Sequence, residues 1–273
     1  MNYSRTAMTL DDIRQRVPSA FATEPFSDRS ARYTYVPTID VIEGMQRAGY
    51  GVFGAVQCKS RDVAKREHTK HMIRFRTEQE TILGESFPEV VMVNSHDGSS
   101  AYKLLAGIFR MVCSNGMIAG DIHDSISIRH QGDIIAEVVE GSNRIAARAP
   151  MLAETVRQWS GLLLTAGEQQ AFAESAHTVR FADSEGKVNT PIQAAQLLMP
   201  RRNFDTASDL WHVHNRVQEN VIKGGLSARH RDEQGHIRRV STRRVNGIDQ
   251  DVRLNSALWQ LSQRMAELKG VSV

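Results

Sequence analysis

Asn94-Ser95-His96-Asp97-Gly98-Ser99-Ser100 is the densest run of chemistry-bearing side chains in the sequence, with an amide, an imidazole, a carboxylate and three hydroxyls. It follows Glu89-Val90-Val91-Met92-Val93, a continuous apolar stretch that fits a strand buried on both faces. It precedes Ala101, Leu104, Leu105, Ile108, Phe109 and Val112, whose spacing predicts a helix stopped by Asn115-Gly116. A polar loop between a buried strand and a helix N-terminus would turn backbone amides toward an anion, and phosphate is the anion expected. The same residue types also form turns that satisfy their own backbone, with Ser99 or Asp97 as the cap. His96 beside Asp97 has acid-base chemistry, yet neighbours on a turn seldom enter one cleft, and no nucleophile accompanies them.

Other constellations are sparser. His68 and His71, and His212 and His214, are close pairs, but neither spacing presents two metal ligands on one helical face. No metal set is expected, and no cofactor, because the chain has neither a Gly-rich phosphate loop ending in Lys-Ser/Thr nor a dinucleotide fingerprint. Cys58 and Cys113 are too few for a disulfide framework, and Cys113, near the end of the predicted helix, reads as an inert buried thiol. A metal-dependent nuclease would have to be assembled from Glu89, His96, Asp97 and Lys103. None of the acidic or histidine clusters has nuclease or hydrolase spacing, so no catalytic residue is assigned.

Charge carries a stronger signal. The chain of 273 residues has a net charge of +3, but Lys59 to Arg76 holds seven Lys/Arg against Asp62 and Glu67. Lys223 to Arg244 again holds seven, against Asp232 and Glu233, and the remaining residues are net acidic. Charge focused in two short segments is what a phosphate backbone rewards through counterion release. Within the first segment, Ile73 and Phe75 alternate with Arg74 and Arg76, and Lys70 shares the basic side by the strand period of two.

The elements that must position these residues follow from periodicity. A short capped helix around Thr9 to Val17 precedes a helix through Val41, Ile42 and Met45 that Gly49 stops. Tyr50 to Gln57 and His71 to Arg76 read as an antiparallel pair joined by the first basic loop. Ser125 to Ile128 is a further strand, and helices follow at Gly132 to Arg148, Leu152 to Leu164, Gly167 to Ala176, Asp209 to Lys223 and Val252 to Leu268. The predicted class is α+β, an antiparallel sheet with a packed helix (β-β-β-α core) in residues 1–148 and a mainly helical region with a basic loop in 149–273. No stretch of 18 apolar residues and no signal-peptide core occurs, so a cytoplasmic protein away from membranes is expected.

Several segments together carry a family pattern: Arg32-Tyr33-Thr34-Tyr35-Val36-Pro37-Thr38, Arg66-Glu67-His68-Thr69-Lys70-His71-Met72, Asn94 to Ser100, Phe109 to Gly116, Glu219-Asn220-Val221-Ile222-Lys223-Gly224-Gly225-Leu226, and Gly247-Ile248-Asp249 with Asn255 to Trp259. Over nearly its whole length the chain resembles the YafZ/YfjQ/YubP-like proteins of bacterial prophages and conjugative plasmids, a family of unknown function. The resemblance implies a mobile-element protein of the bacterial cytoplasm and supplies no catalytic residue. In layout alone, the strand, basic hairpin, strand, buried strand and helix order is similar to the core of single-strand annealing proteins.

The expectation is therefore a protein that binds single-stranded DNA, as an annealing or recombination-mediator protein. Its interface would comprise Lys65, Arg66, Lys70, Arg74, Arg76, Asn94, Ser95, His96, Gly98, Ser99, Lys103, Arg110, Lys223, Arg238, Arg239, Arg243 and Arg244, with Tyr33 and Tyr35 as stacking platforms. A homo-oligomer is expected through apolar faces carrying Trp211, Val217, Leu258, Leu261 and Met265. The alternative is an anti-restriction or anti-defence protein whose partner is a host defence protein.

Overall fold

The computed structural model describes residues 6–26, 34–77, 85–98, 100–111, 115–120, 125–203, 205–231 and 234–271. Two compact units divide the chain, Met1–Ala153 and Glu154–Val273.

The first unit begins with α1 (Leu10–Arg16), whose N-terminus is closed by a reciprocal Thr9–Asp12 capping box. A 3-10 turn at Pro18–Phe21 leads on, and α2 (Thr38–Arg47) buries Val41, Ile42 and Met45. The sheet comprises β1 (Gly51–Gln57), β2 (His71–Arg76), β3 (Ser86–Asn94), β4 (Tyr102–Arg110), β5 (Asn115–Ile118) and β6 (Ile126–Ile128). Its order is β1-β2-β3-β4-β5, with β6 also on β4, and every pairing is antiparallel. The helix α3 (Ile134–Ala146), capped by Asp133 through Ala136 N, packs on β3, β4 and β6. Gly141 permits this approach, because a Cβ there would lie 2.8 Å from Leu104 Cδ1.

The α+β class and the antiparallel sheet stand as expected, but residues 101–111 do not form the expected helix. Tyr102–Arg110 is β4, in register with β3 from Ser86↔Arg110 to Val93↔Lys103, and Asn115-Gly116 opens β5 instead of stopping a helix. A strand enclosed on both faces needs apolar residues at nearly every position, so its sequence also satisfies a helical spacing. The helix packed on the sheet is α3.

The strand β2 corrects a second expectation, because all six of its residues are buried and it has no open basic face. It lies between β1 and β3, so Arg74 and Arg76 are enclosed instead of solvated.

Helix α4 (Ala149–Gly161) spans the boundary between the units. The second unit contains α5 (Ala166–Phe181), a 3-10 turn at Ala194–Leu198, α6 (Leu210–Lys223) and α7 (Ile248–Leu268). Trp159, Trp211, Trp259 and Phe172 surround the buried His214, whose Nδ1 lies 2.7 Å from Ser262 Oγ. Trp211, Val217 and Leu258 are buried within the chain and Leu261 and Met265 are half-buried, so the apolar faces expected to drive a homo-oligomer are largely covered already. The second basic segment is a hairpin instead of a loop, with β7 (Ser227–Arg231) antiparallel to β8 (Ile237–Ser241).

Candidate nucleic-acid interface

Three of the arginines expected to face solvent are part of the buried structure. Arg74 Nη1 donates to Glu89 Oε2 and Arg76 Nε to Glu89 Oε1, both at 2.7 Å, with all three side chains at most 4% exposed. Gly107 on β4 makes room for them, since a Cβ there would come within 3.1 Å of Arg74 Nη1. The Arg76 guanidinium also lies 4.1 to 5.1 Å from the rings of Phe53, Phe87 and Phe109. Arg110 is buried and donates to Glu85 from Nε at 2.7 Å and Nη2 at 3.3 Å. A guanidinium cannot lose its proton, so inside a sheet it requires carboxylate partners, and Glu85 and Glu89 supply them.

The loop after β3 is also different from its expected role. It joins two antiparallel strands, so no helix N-terminus stands behind it to hold a phosphate. Asn94, Ser95 and His96 are fully buried, Gly98 is exposed with φ of 76°, and Ser99 lies outside the described residues, as do Tyr33 and Cys113.

Three segments that carry the family pattern meet at this loop, around the hydroxyl of Thr38. Thr38 Oγ1 lies 2.9 Å from His71 Nε2, 2.8 Å from His96 Nε2 and 3.1 Å from Asn94 Nδ2, which donates to it. His71 Nδ1 faces the Thr69 carbonyl at 3.1 Å and Ser19 Oγ at 3.0 Å. A carbonyl only accepts, so His71 carries its proton on Nδ1, and its bare Nε2 accepts the hydrogen bond that the Thr38 hydroxyl donates. His96 must then donate from Nε2, leaving a bare, buried Nδ1 without a hydrogen-bond partner among the described residues.

Burial depresses both imidazoles, His71 to about 4 and His96 to about 3, the latter also through His71, His130 and His68, so each is neutral near pH 7. Both hydroxyl lone pairs of Thr38 are occupied by donors and its side chain is sealed from solvent. The cluster therefore locks the start of α2 to the ends of β2 and β3 and has no free nucleophile. Among the described residues no group of three or more His, Cys, Asp or Glu is disposed to hold a metal ion. Of the nuclease rival, Glu89 is committed to two arginines on β3 and His96 is buried, whereas Lys103 is exposed on β4.

Of the expected interface, Lys65, Arg66 and Lys103 are exposed in the first unit, and Lys70 is half-buried. In the second unit, Lys223 is half-buried against Glu219 at 2.8 Å, while Arg238, Arg239, Arg243 and Arg244 are exposed. The β7–β8 ribbon adds Arg229, His230 and Arg231, all exposed, which belong to the second basic segment but which the sequence does not by itself assign to a surface. Register places Arg229 directly opposite Arg239, His230 opposite Arg238 and Arg231 opposite Ile237. Ser-Ala-Arg-His-Arg and Ile-Arg-Arg-Val-Ser around a turn containing Gly235 have the length of a hairpin, but charge at most positions hides the alternation.

The Glu219 to Leu226 motif anchors the base of this ribbon. Gly225 N and Val245 N donate to Thr242 O and Ile222 O, and Leu226 N donates to Thr242 Oγ1. Arg180 donates to the carbonyls of Val221 and Arg243, and Arg201 donates to Asn220 Oδ1 and to the Gly224 carbonyl. Glu219 accepts from Arg202 and Lys223; burial alone would raise its carboxyl, and these partners outweigh that and hold it below the ordinary range. Gly224 has φ of 65°, and a Cβ on it would lie 2.6 Å from the Arg243 carbonyl carbon, so glycine is required on both counts.

A family model described as "Domain of unknown function (DUF932)" matches residues 25–259, a span that contains both the Thr38 cluster and the ribbon. UPF0380 protein YafZ and UPF0380 protein YfjQ, both from Escherichia coli (strain K12), are each 42% identical to the chain over 258 residues, covering 94% of this chain and 91% of the relative. No solved structure matches the chain.

Proposed function

This chain belongs to the DUF932 family, which brings no activity with it, and we propose that it binds nucleic acid through the phosphate backbone, with the β7–β8 ribbon as the principal contact. The supporting observation is the set of exposed arginines, Arg229, Arg231, Arg238, Arg239, Arg243 and Arg244, on and beside a two-stranded ribbon anchored at its base. Such a ribbon concentrates positive potential on a surface whose size and shape a DNA groove admits. The exposed Lys59, Arg61, Lys65 and Arg66 of the loop before β2 offer a second basic surface on the other unit.

Single-stranded DNA, the ligand expected from charge alone, draws its support from this backbone term. Tyr35 offers no free platform, because its hydroxyl donates to Ala22 O and its ring lies 5.1 Å from that of His96. No Phe, Tyr or Trp stands on the ribbon strands. An annealing role leaned on a helix where residues 102–110 are strand β4, so binding of the backbone, in single strand or duplex, is what the geometry supports best.

Mobility shifts with a single strand and a duplex at two salt concentrations test this. Affinity should fall linearly with the logarithm of salt concentration. Absence of binding at low salt, or binding indifferent to salt, overturns it and leaves a host defence protein as the partner to seek.

A further inference from the structure

The ribbon contains an arrangement that local physics disfavours. Arg229 and Arg239 are directly opposite one another across an exposed antiparallel pair, where like charges are destabilising. By the period of two, Arg231 is on the same face, so three guanidinium groups share one side of a five-residue ribbon. Two of these side chains diverge: Arg239 reaches toward the base of the hairpin, 3.4 Å from Ser227 Oγ, while Arg231 reaches toward the turn, 3.4 Å from the Gly235 carbonyl. Among the described residues no Asp or Glu stands on either ribbon strand to neutralise them.

We propose that Arg229 and Arg239 clamp a single backbone phosphate between them, so that the ribbon is strained when empty and stiffens when loaded. Cross-strand partners have Cβ atoms about 5 Å apart, a separation at which two long guanidinium side chains converge on one anion. The phosphate replaces mutual repulsion with two charge-assisted hydrogen bonds, and the gain is felt in the ribbon ladder itself. This rests on nucleic acid being the ligand, and it adds that binding and local order at β7–β8 are one event.

The consequence is a pair of effects with opposite sign. Arg239→Thr removes the repulsion and places a good strand former at the site, so the free ribbon should become more ordered while nucleic-acid binding weakens. Arg239→Glu should do both more strongly by creating an opposite-charge pair with Arg229. Hydrogen exchange of the β7 and β8 amides in the full chain, with and without a DNA duplex, reads the first effect, and salt-dependent binding reads the second.

In the free protein Arg239→Thr should slow ribbon exchange by about two-fold and Arg239→Glu by about five-fold, and the salt slope should fall by about one unit for Arg239→Glu and by less for Arg239→Thr, which leaves Arg229 on the phosphate. DNA should protect the ribbon amides of the unsubstituted protein. If DNA binds without protecting them, or if Arg239→Thr leaves free-ribbon exchange unchanged or faster, the clamp is wrong while nucleic-acid binding stands. If no DNA binds at low salt, the underlying assignment of the ligand fails. Equal protection by inorganic phosphate at the same phosphate concentration would overturn the backbone as the source of the anion.

Discussion

Arg76 and Glu89 are joined at the end of the β2–β3 ladder by a 2.7 Å ion pair whose side chains are 4% and 0% exposed. Arg74 shares the same carboxylate, so one acid holds two guanidinium groups inside the sheet. Glu89→Ala should therefore cost about 3–5 kcal/mol of stability, because it strands buried charge that cannot be neutralised. Urea unfolding of the variant measures this, and a change in stability under about 1 kcal/mol would show that the pair is dispensable.

The Thr38 cluster makes the first unit sensitive to acid. Thr38→Val deletes the hydroxyl that His71, His96 and Asn94 share, and each buried polar group left unpaired costs about 1–3 kcal/mol. Thr38→Ser should restore most of the stability, which distinguishes the hydroxyl from packing of the methyl group. Thermal unfolding of the three proteins at pH 7 decides between the two.

The depressed histidines also determine the sign of the pH dependence. Their folded values, about 4 for His71 and His214 and about 3 for His96, lie below the ordinary 6.5, so the unfolded chain binds more protons between these limits. Their contribution is complete above pH 6.5 and is lost as pH falls from 6.5 toward 4 for His71 and His214 and toward 3 for His96. Tryptophan fluorescence reports the unit around His214, because Trp159, Trp211 and Trp259 all lie there, and amide exchange near Thr38 reports the other. A midpoint indifferent to pH between about 7 and 4.5 would contradict the neutral, buried state of these rings.

Binding should separate two classes of arginine. Replacing Arg238, Arg243 or Arg244 by Ala should weaken nucleic-acid binding and reduce the salt slope by about one unit for each phosphate that is no longer neutralised. Replacing Arg110 by Ala should instead destabilise the first unit through the unpaired Glu85 and leave the salt slope of the folded protein unchanged. A slope that falls with Arg110→Ala would place the sheet back in the interface.

Gly224→Ala should displace the ribbon without unfolding the helices. The substitution places a Cβ within 2.6 Å of the Arg243 backbone at φ of 65°, where an L residue is strained. Exchange protection at β7–β8 and DNA affinity should fall together while the melting transition of α5, α6 and α7 changes by little.

The sequence alone determined the two basic segments, the boundaries of β2, the helices of the second half and the capping of α1, because these depend on local charge, periodicity and caps. It also brought out the Asn94 to Ser100 run and the family motifs as the places where polar chemistry concentrates. Only the tertiary structure decided which charges meet water. Arg74 and Arg76 alternate with apolar neighbours as an amphipathic edge strand would, but Glu89, distant from both in the chain, pairs with them once β3 closes on β2. The identity of β4 was undecidable locally, since a strand buried on both faces satisfies a helical apolar spacing as well as a strand one. The ribbon shows the converse: charge at most positions hides its alternation, and its register emerges only from the cross-strand pairing anchored at the end of α6. Burial and register are sums over distant parts of the chain, so a local reading locates the charged residues and the fold assigns them to core or surface.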